Sequence, residues 1–274
     1  MKTPFDGELA QQIAAAYGMV RASVSRQLEV CLCPMCMTEE ARREIIATPM
    51  REMPAALIRD YSNSAHGVPR DLDDLAVFLP RYMELIAAQD EVDDVGVGAE
   101  LLRFGDARRA GGFPAEALAQ VYDRWARLVV LACGWAEAQG DEEAMLSPQY
   151  LFAMLPAGGV PAAVVTGALE ALFALPDVGG TAMAQMLNGL GHAARRGRLD
   201  MFAMRYVPAK EREALAQWLG AWCLSPAVEE LLSDPGFAPL LPLEFWRERA
   251  GIMRGLVTRR GGALSGDDLG PVER

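Results

Sequence analysis

The sequence predicts an all-α protein, built as a multi-helix bundle or an irregular helical array without significant sheet. Apolar residues recur with helical spacing along most of the chain, and proline or serine stands at many of the expected helix starts. No interval shows the two-residue alternation, bounded by hairpin turns, that is typical of strands. With 51% apolar residues among 274, the chain can bury a substantial core without disulfide bonds.

The predicted helices follow one another from the N-terminus. Residues 6–30 form an amphipathic helix that stops before a group of cysteines, and Thr38 caps a second helix that runs through Ile46. Residues 71–90 form a helical segment that Pro80 kinks or divides. The other predicted starts are Pro54, Asp71, Pro114, Ser147-Pro148, Ser225-Pro226 and Pro242, and the closing helices cover 208–224 and 242–260.

The domain prediction is a single helical domain over residues 1–260, with a sub-boundary near 91–112. The acidic stretch "DEVDDVGVG" (90–98) overlaps that boundary and is predicted to be a solvated loop, because it lacks the spacing and the distal Glu of a calcium loop. Residues 261–274 are Gly-rich and polar, which predicts a mobile tail.

The middle of the chain carries very little charge. From Ala144 to Ala194 the only formally charged side chains are Glu170 and Asp177. Such a segment can supply the buried central helices of a bundle, a groove or oligomer face for a partner, or a membrane span. We expect no membrane span, because prolines interrupt every continuous apolar run of about 20 residues; these are Pro148, Pro156 and Pro161.

The formal net charge of −11 argues against nucleic-acid binding, which needs a surface of Lys and Arg. Anionic membrane surfaces are disfavoured for the same reason, whereas a protein partner or self-association is expected. The N-terminus has charged residues where a secretory signal needs an apolar core, and the five cysteines are an odd number. We therefore expect a cytoplasmic protein with reduced thiols.

The segment "CLCPMCM" (31–37) holds three of the five cysteines. It has three interpretations. Cys33 and Cys36 can be ligands of a metal ion; they can form a redox pair at the N-terminus of a helix that begins at Pro34; or the cysteines can simply pack as small apolar side chains at a helix junction. The sequence leaves these alternatives open.

In the metal interpretation the candidate ligands are Cys31, Cys33, Cys36 and His66, and the candidate cofactor is zinc. Zinc normally takes four ligands, and the chain has no second closely spaced cysteine pair. A remote ligand would have to arrive through the fold, and the candidates are His66, Cys133, His192 and Cys223. His66 is the nearest of these in sequence. His66 also suits a structural role, in which a histidine satisfies the last carbonyls of its helix.

No established catalytic motif appears in the sequence. It contains no serine-hydrolase elbow, phosphate loop or His-Glu-x-x-His pattern. "NGLGHAA", which includes His192, matches part of a dinucleotide fingerprint, but the preceding "MAQML" predicts a helix where that fingerprint needs a strand. The sequence therefore does not favour an enzyme.

Four motifs support a resemblance: Cys33-Pro34-Met35-Cys36, "TPMREM" (48–53), a helix that ends in "SAHG", and "FLPRYMEL" (78–85). In this order they resemble the N-terminal half of a family of uncharacterised bacterial proteins. The resemblance covers about residues 30–90, and the chain departs from it at Met35, at Cys31 and at Val77. It implies a bacterial cytoplasmic helical protein whose cysteines belong to the family pattern, and it implies no activity.

Two functional hypotheses follow. The first is a non-enzymatic helical interaction or adaptor protein, which acts through the charge-poor 144–194 region or an acidic face and whose cysteine cluster is structural or metal-binding. The alternative is a metal-dependent or thiol-based enzyme or redox sensor centred on Cys33 and Cys36.

Overall fold

The structure is a computed structural model that describes residues 2–64, 72–89, 101–111, 115–140, 146–195, 197–239 and 244–270. The prediction of an all-α array without significant sheet is confirmed. In the described residues the only strand pairing beyond single bridges joins β1 (Ala194–Arg195) and β2 (Arg198–Leu199), which are antiparallel. The helices are α1 Asp6–Met19, α2 Glu39–Ala47, α3 Ala55–Ser64, α4 Leu72–Ala87, α5 Leu102–Arg109, α6 Glu116–Ala138, α7 Pro148–Ala157, α8 Ala162–Phe173, α9 Gly179–Ala193, α10 Ala209–Cys223, α11 Pro226–Ser233 and α12 Trp246–Arg259.

The chain forms two compact units. The N-terminal unit contains Phe5–Val129 and Gly158–Val160, and the C-terminal unit contains Met1–Pro4, Val130–Ala157 and Pro161–Arg274. The division falls within α6, and a sub-boundary near 91–112 stays a prediction. A single domain over 1–260 stays a prediction.

Aromatic side chains build the centre of the N-terminal unit. α4 packs against α1 and α5, and α2 packs against α3. The rings of Tyr61 on α3 and Phe78 on α4 stack with centroids 3.6 Å apart, and Tyr82 meets Phe104 of α5 edge-on at 5.3 Å. Such pairs add to the burial of their large apolar surfaces. α3, α4 and α5 therefore share one core.

The first helix is shorter than predicted, because α1 ends at Met19 instead of near residue 30. Beyond it the backbone bonds to other elements. The Ala22 carbonyl accepts from the N–H of Met50, and the N–H of Ser25 donates to the side chain of Asp74. A helix through this stretch would forfeit both contacts, so long-range hydrogen bonds override the local apolar spacing.

Most of the predicted helix starts that lie in the described residues are confirmed. Thr38 caps α2 by accepting from the N–H of Ala41, and α7 and α11 begin at Pro148 and Pro226. Asp71, Pro114 and Pro242 lie outside the described residues. Pro80 is predicted to kink or divide the segment 71–90. The division is wrong, because α4 is one continuous helix that contains this proline, and the kink stays a prediction.

The charge-poor region supplies the core of the C-terminal unit. It forms α7, α8 and α9, which pack against one another, and α9 also packs along α12. Every residue of α7 from Leu151 to Ala157 is buried. Burial accounts for the missing charges of α7 and of the buried residues of α8 and α9, as the first interpretation of this region expects. Ala163, Ala174 and Pro176 are exposed, and an interaction surface in this region stays a prediction. Across the described residues, every helix is too short or too polar to serve as a transmembrane span.

Residues 261–270, the described part of the predicted mobile tail, are packed. The N–H of Gly266 donates to the Glu213 carboxylate of α10 at 2.6 Å, and Asp268 caps its own turn by accepting from Ser265 at 2.9 Å. Leu264 and Leu269 are 2% and 1% exposed. The segment is otherwise Gly-rich and polar, which is why the sequence predicts a mobile tail in spite of these two buried leucines.

Candidate metal centre

A long loop without helix or strand carries the cysteines. It runs from Val20 to Thr38, between α1 and α2. Connections of this length are uncommon in compact domains, where they are usually either functional loops or linker segments. Val24, Leu28 and Met37 of the loop are buried, so contacts with the surrounding helices set its path.

Asp74 on α4 fixes the first half of this loop. Its carboxylate accepts hydrogen bonds from the backbone N–H and from the hydroxyl of Ser25, each at 2.5 Å. The guanidinium of Arg21 forms an ion pair with the same carboxylate at 3.0 Å. Only 4% of Asp74 is exposed, and a buried carboxylate needs such partners to stay charged. The sequence does not reveal this contact, because no local pattern links Ser25 to a residue so far along the chain.

Helices α2 and α3 fix the second half of the loop. Arg42 of α2 donates to the Leu28 carbonyl at 3.0 Å and to the Arg26 carbonyl at 3.3 Å. The N–H of Cys31 donates to the carbonyl of Ser64, the last residue of α3, at 2.8 Å. The backbone of Cys31 is therefore held in place by a helix end.

The residues Cys33 to Cys36 form a tight turn. The N–H of Cys36 donates to the carbonyl of Cys33 at 3.0 Å, as in a hydrogen-bonded β-turn. The Sγ atoms of Cys33 and Cys36 are 3.3 Å apart. The Sγ atom of Cys31 completes the group, and all three sulfurs lie within 4.8 Å of one another. Among the described residues, this is the only cluster of His, Cys, Asp and Glu side chains close enough to hold a metal ion.

The sulfur spacing suits a thiolate-bound metal. Tetrahedral zinc with Zn–S bonds of about 2.3 Å puts its sulfur ligands roughly 3.8 Å apart. The 3.3 Å separation of the Cys33 and Cys36 sulfurs and the 4.8 Å upper bound for the three sulfurs bracket this value. The three-cysteine cluster can therefore hold a metal ion.

The cluster also controls its own protonation. A hydrogen bond from the thiol of Cys36, followed by the backbone N–H of Met35, lowers the pKa of Cys33. The same thiol pair raises the pKa of Cys36 to about 12, since its proton is held between the two sulfurs. Cys33 is exposed, so the pair combines a lowered pKa with solvent access at this sulfur.

The structure corrects one premise of the redox interpretation. Cys33 does not cap a helix that begins at Pro34, because α2 begins at Glu39, after the Thr38 cap. The lowered pKa of Cys33 comes from the hydrogen bonds of the turn and not from a helix N-terminus. A packing role does not describe Cys33 either, because its side chain is exposed.

The remote candidate ligands are not described members of the cysteine cluster. His66 lies outside the described residues and stays a predicted ligand. Cys133, His192 and Cys223 belong to the C-terminal unit and are not members of the cluster. Both of these cysteines are buried, and burial raises the pKa of each thiol to about 12. Their role is packing.

The partial dinucleotide fingerprint has a structural explanation. "NGLGHAA" lies at the end of α9, as the sequence analysis expects from the helical "MAQML" that precedes it. A Cβ atom on Gly191 would lie 2.6 Å from the carbonyl oxygen of Arg249 in α12. This glycine therefore permits close packing of two helices. The acidic stretch 90–98 lies outside the described residues.

Fold and site together define a helical protein with a three-cysteine cluster that can hold a metal ion. Comparison of the chain with protein-family models, with curated proteins and with solved structures finds no match. The resemblance of residues 30–90 to an uncharacterised bacterial family stays a prediction.

Proposed function

We propose that this protein is a zinc-binding helical interaction protein of the bacterial cytoplasm. The observation that carries the proposal is the convergence of the Cys31, Cys33 and Cys36 sulfurs to within 4.8 Å of one another. Three thiols on a partly exposed loop have no need to converge for packing alone. Reduced thiols, on which a thiolate site depends, persist in the cytoplasm.

The donor set favours zinc. Thiolates are soft ligands that select Zn²⁺, Cu⁺ and iron–sulfur clusters over hard cations such as Mg²⁺ and Ca²⁺. The lowered pKa of Cys33 favours the deprotonated form that ligation requires. His66 remains our candidate for the fourth ligand.

Zinc would fasten the loop from Val20 to Thr38. Cys31 is hydrogen-bonded to the end of α3, and Cys36 lies two residues before the cap of α2. A metal ion bound to both cysteines links these two places. Because a preformed site rarely exists in an unfolded chain, the free energy of metal binding stabilises the folded loop.

The same loop presents apolar side chains to solvent. Met35 is 91% exposed and Leu32 is 48% exposed, and both lie between cysteines of the cluster. Exposed apolar side chains that a rigid scaffold holds together are typical of protein contact sites. We infer that the loop, rather than the 144–194 region, contacts a protein partner.

Elemental analysis tests the zinc site. Reduced, freshly purified protein should carry about one equivalent of zinc, because the three thiolates form one site. Cys33→Ser should lose the metal. Met35→Ala is the matched control, because it changes the same turn without removing a thiolate, and it should retain the metal. Wild-type protein that purifies metal-free and takes up no zinc would overturn the proposal.

The same elemental analysis on His66→Ala tests the fourth ligand. Loss or marked weakening of zinc binding in this variant would identify His66 as a ligand. Zinc binding equal to that of wild-type protein would exclude it and leave the three cysteines as the protein's ligand set.

Chemical cross-linking tests the interaction surface. The double variant Leu32→Ser/Met35→Ser should retain zinc but lose the cross-linked partner or self-associated species that wild-type protein gives. The double variant Met19→Ser/Ile252→Ser is the control, because it also removes exposed apolar side chains but leaves the loop unchanged. Equal cross-linking in wild-type protein and both double variants would contradict a contact through the loop.

A further inference from the structure

We propose that oxidation controls this metal site: closing a disulfide between Cys33 and Cys36 expels the bound metal ion, and reduction restores it. The inference rests on the proposed zinc site and adds a mode of regulation to it. The Cys33 and Cys36 sulfurs can either bind the metal ion or bond to each other, so metal ligation and disulfide formation exclude each other.

The turn geometry suits a disulfide. Bonded sulfurs lie about 2.05 Å apart, and the Cα atoms of a disulfide lie about 4.4 to 6.8 Å apart. The Cys33 and Cys36 sulfurs are already 3.3 Å apart. The two cysteines are the first and last residues of a hydrogen-bonded turn, which brings their Cα atoms within about 7 Å. Side-chain rotation of this pair can therefore close the bond within the existing turn.

The three sulfurs differ in access. Cys33 is exposed, while Cys31 and Cys36 are half-buried. Oxidation of a thiol depends on its exposure, and Cys33 is the exposed thiol of the group. The Sγ atom of Cys36 lies 3.3 Å from that of Cys33, so Cys36 is placed to act as the resolving cysteine.

A hydroperoxide is the oxidant class that suits this pair. The Cys33 thiolate attacks one peroxide oxygen, which forms an S–O bond, breaks the O–O bond and releases hydroxide. The Cys36 thiolate then attacks the Sγ atom of Cys33, which forms the S–S bond and expels the second hydroxide. The two thiolates give up two electrons, and with hydrogen peroxide the two hydroxides take up two protons to leave two waters.

The oxidised site has lost two thiolate ligands. Cys31 is the one thiolate left in the cluster, and a single thiolate is too few to retain zinc in competition with water. A dithiol reductant reverses the step, because it exchanges with the exposed sulfur of Cys33 and returns both thiolates. Metal content thus reports the thiol redox state around the protein.

Peroxide titration of the zinc-loaded full chain tests the proposal. Zinc release is followed with a colorimetric chelator, and the disulfide is mapped by mass spectrometry of peptides prepared without reductant. We expect one zinc ion released for each Cys33–Cys36 disulfide formed, and full rebinding after dithiothreitol. Cys133→Ser is the control, because its buried thiol lies outside the cluster, and it should release zinc in the same ratio.

Two results overturn the inference and leave the zinc site standing. One is zinc-loaded protein that keeps its metal while the disulfide forms. The other is release without a Cys33–Cys36 disulfide, for example through oxidation to sulfinic acid that dithiothreitol does not reverse. Reduced protein that binds no zinc at all overturns the proposed function, and the inference fails with it.

Discussion

Asp74 shows how much a single residue contributes to the path of the cysteine loop. Its buried carboxylate holds the backbone and the hydroxyl of Ser25 and pairs with Arg21. Without it, the Ser25 N–H would lose its partner and the loop its attachment to α4. The same loop carries the cysteines, so Asp74 supports the position of the three-cysteine cluster.

Asp74→Ala should lower the free energy of unfolding by about 2 to 4 kcal/mol, the range expected when a partner of buried polar and charged groups is removed. Urea denaturation measures the change. Asp73→Ala is the matched control, since Asp73 is the exposed neighbour in the same helical turn. Equal losses in the two variants would show that the helix N-terminus, and not the loop contact, accounts for the effect.

Glu137 on α6 is a second residue whose role the sequence does not reveal. Its Oε2 atom is buried and has no hydrogen-bond partner among the described residues. Desolvation raises the pKa of this carboxyl to about 7. The folded state therefore favours the protonated carboxyl, whereas an unfolded chain ionises it near pH 4.3.

Stability should accordingly fall as the pH rises from about 4.3 through 7, because over that window the folded state binds more protons than the unfolded state. At about 1.4 kcal/mol per pKa unit, the full effect is on the order of 3 to 4 kcal/mol. Glu137→Gln removes the titration. The stability of this variant relative to wild-type protein, measured by urea denaturation, should therefore be greater at pH 8 than at pH 5. A pH-independent difference would contradict the shifted pKa.

At the scale of elements, local chemistry explains which helix boundaries the sequence predicts. A Thr cap sets the start of α2. Ser-Pro pairs set the starts of α7 and α11, and each serine hydroxyl accepts a hydrogen bond from the backbone N–H three residues later. These signals lie within four residues of the boundary. The end of α1 depends on contacts with Met50 and Asp74, and no local pattern contains them.

Residues 261–270 have the composition of a mobile tail but are packed in the structure, and truncation tests whether this packing stabilises the protein. A variant that ends at Arg260 loses the buried side chains of Leu264 and Leu269, and each is worth about 1.5 to 3 kcal/mol of burial. It should unfold at markedly lower urea concentration than the full chain. The control ends at Gly270 and removes only residues outside the described part. If the full chain and the variant that ends at Arg260 are equally stable, residues 261–270 do not contribute to stability, as expected of a mobile tail.

At the scale of the whole molecule, composition predicts the class of fold and only part of the site. Apolar content and periodicity suffice for an all-α array, and the spacing of Cys33 and Cys36 brings two sulfurs together through one turn. The position of Cys31 is different, since its link to Ser64 joins parts of the chain that the sequence does not show to be neighbours. The role of the charge-poor 144–194 region likewise cannot be read from composition, because buried core helices and an apolar binding face have the same low charge.

Cobalt substitution tests the central claim, a metal site made of three thiolates, most directly. Reduced metal-free protein is titrated with Co²⁺ under anaerobic conditions, and the thiolate-to-cobalt charge-transfer absorption is recorded. We predict saturation at one equivalent, with an intensity that corresponds to three thiolates and falls by a similar step in Cys31→Ser, Cys33→Ser and Cys36→Ser. Absence of charge-transfer absorption, or an unchanged intensity in these variants, would contradict the claim.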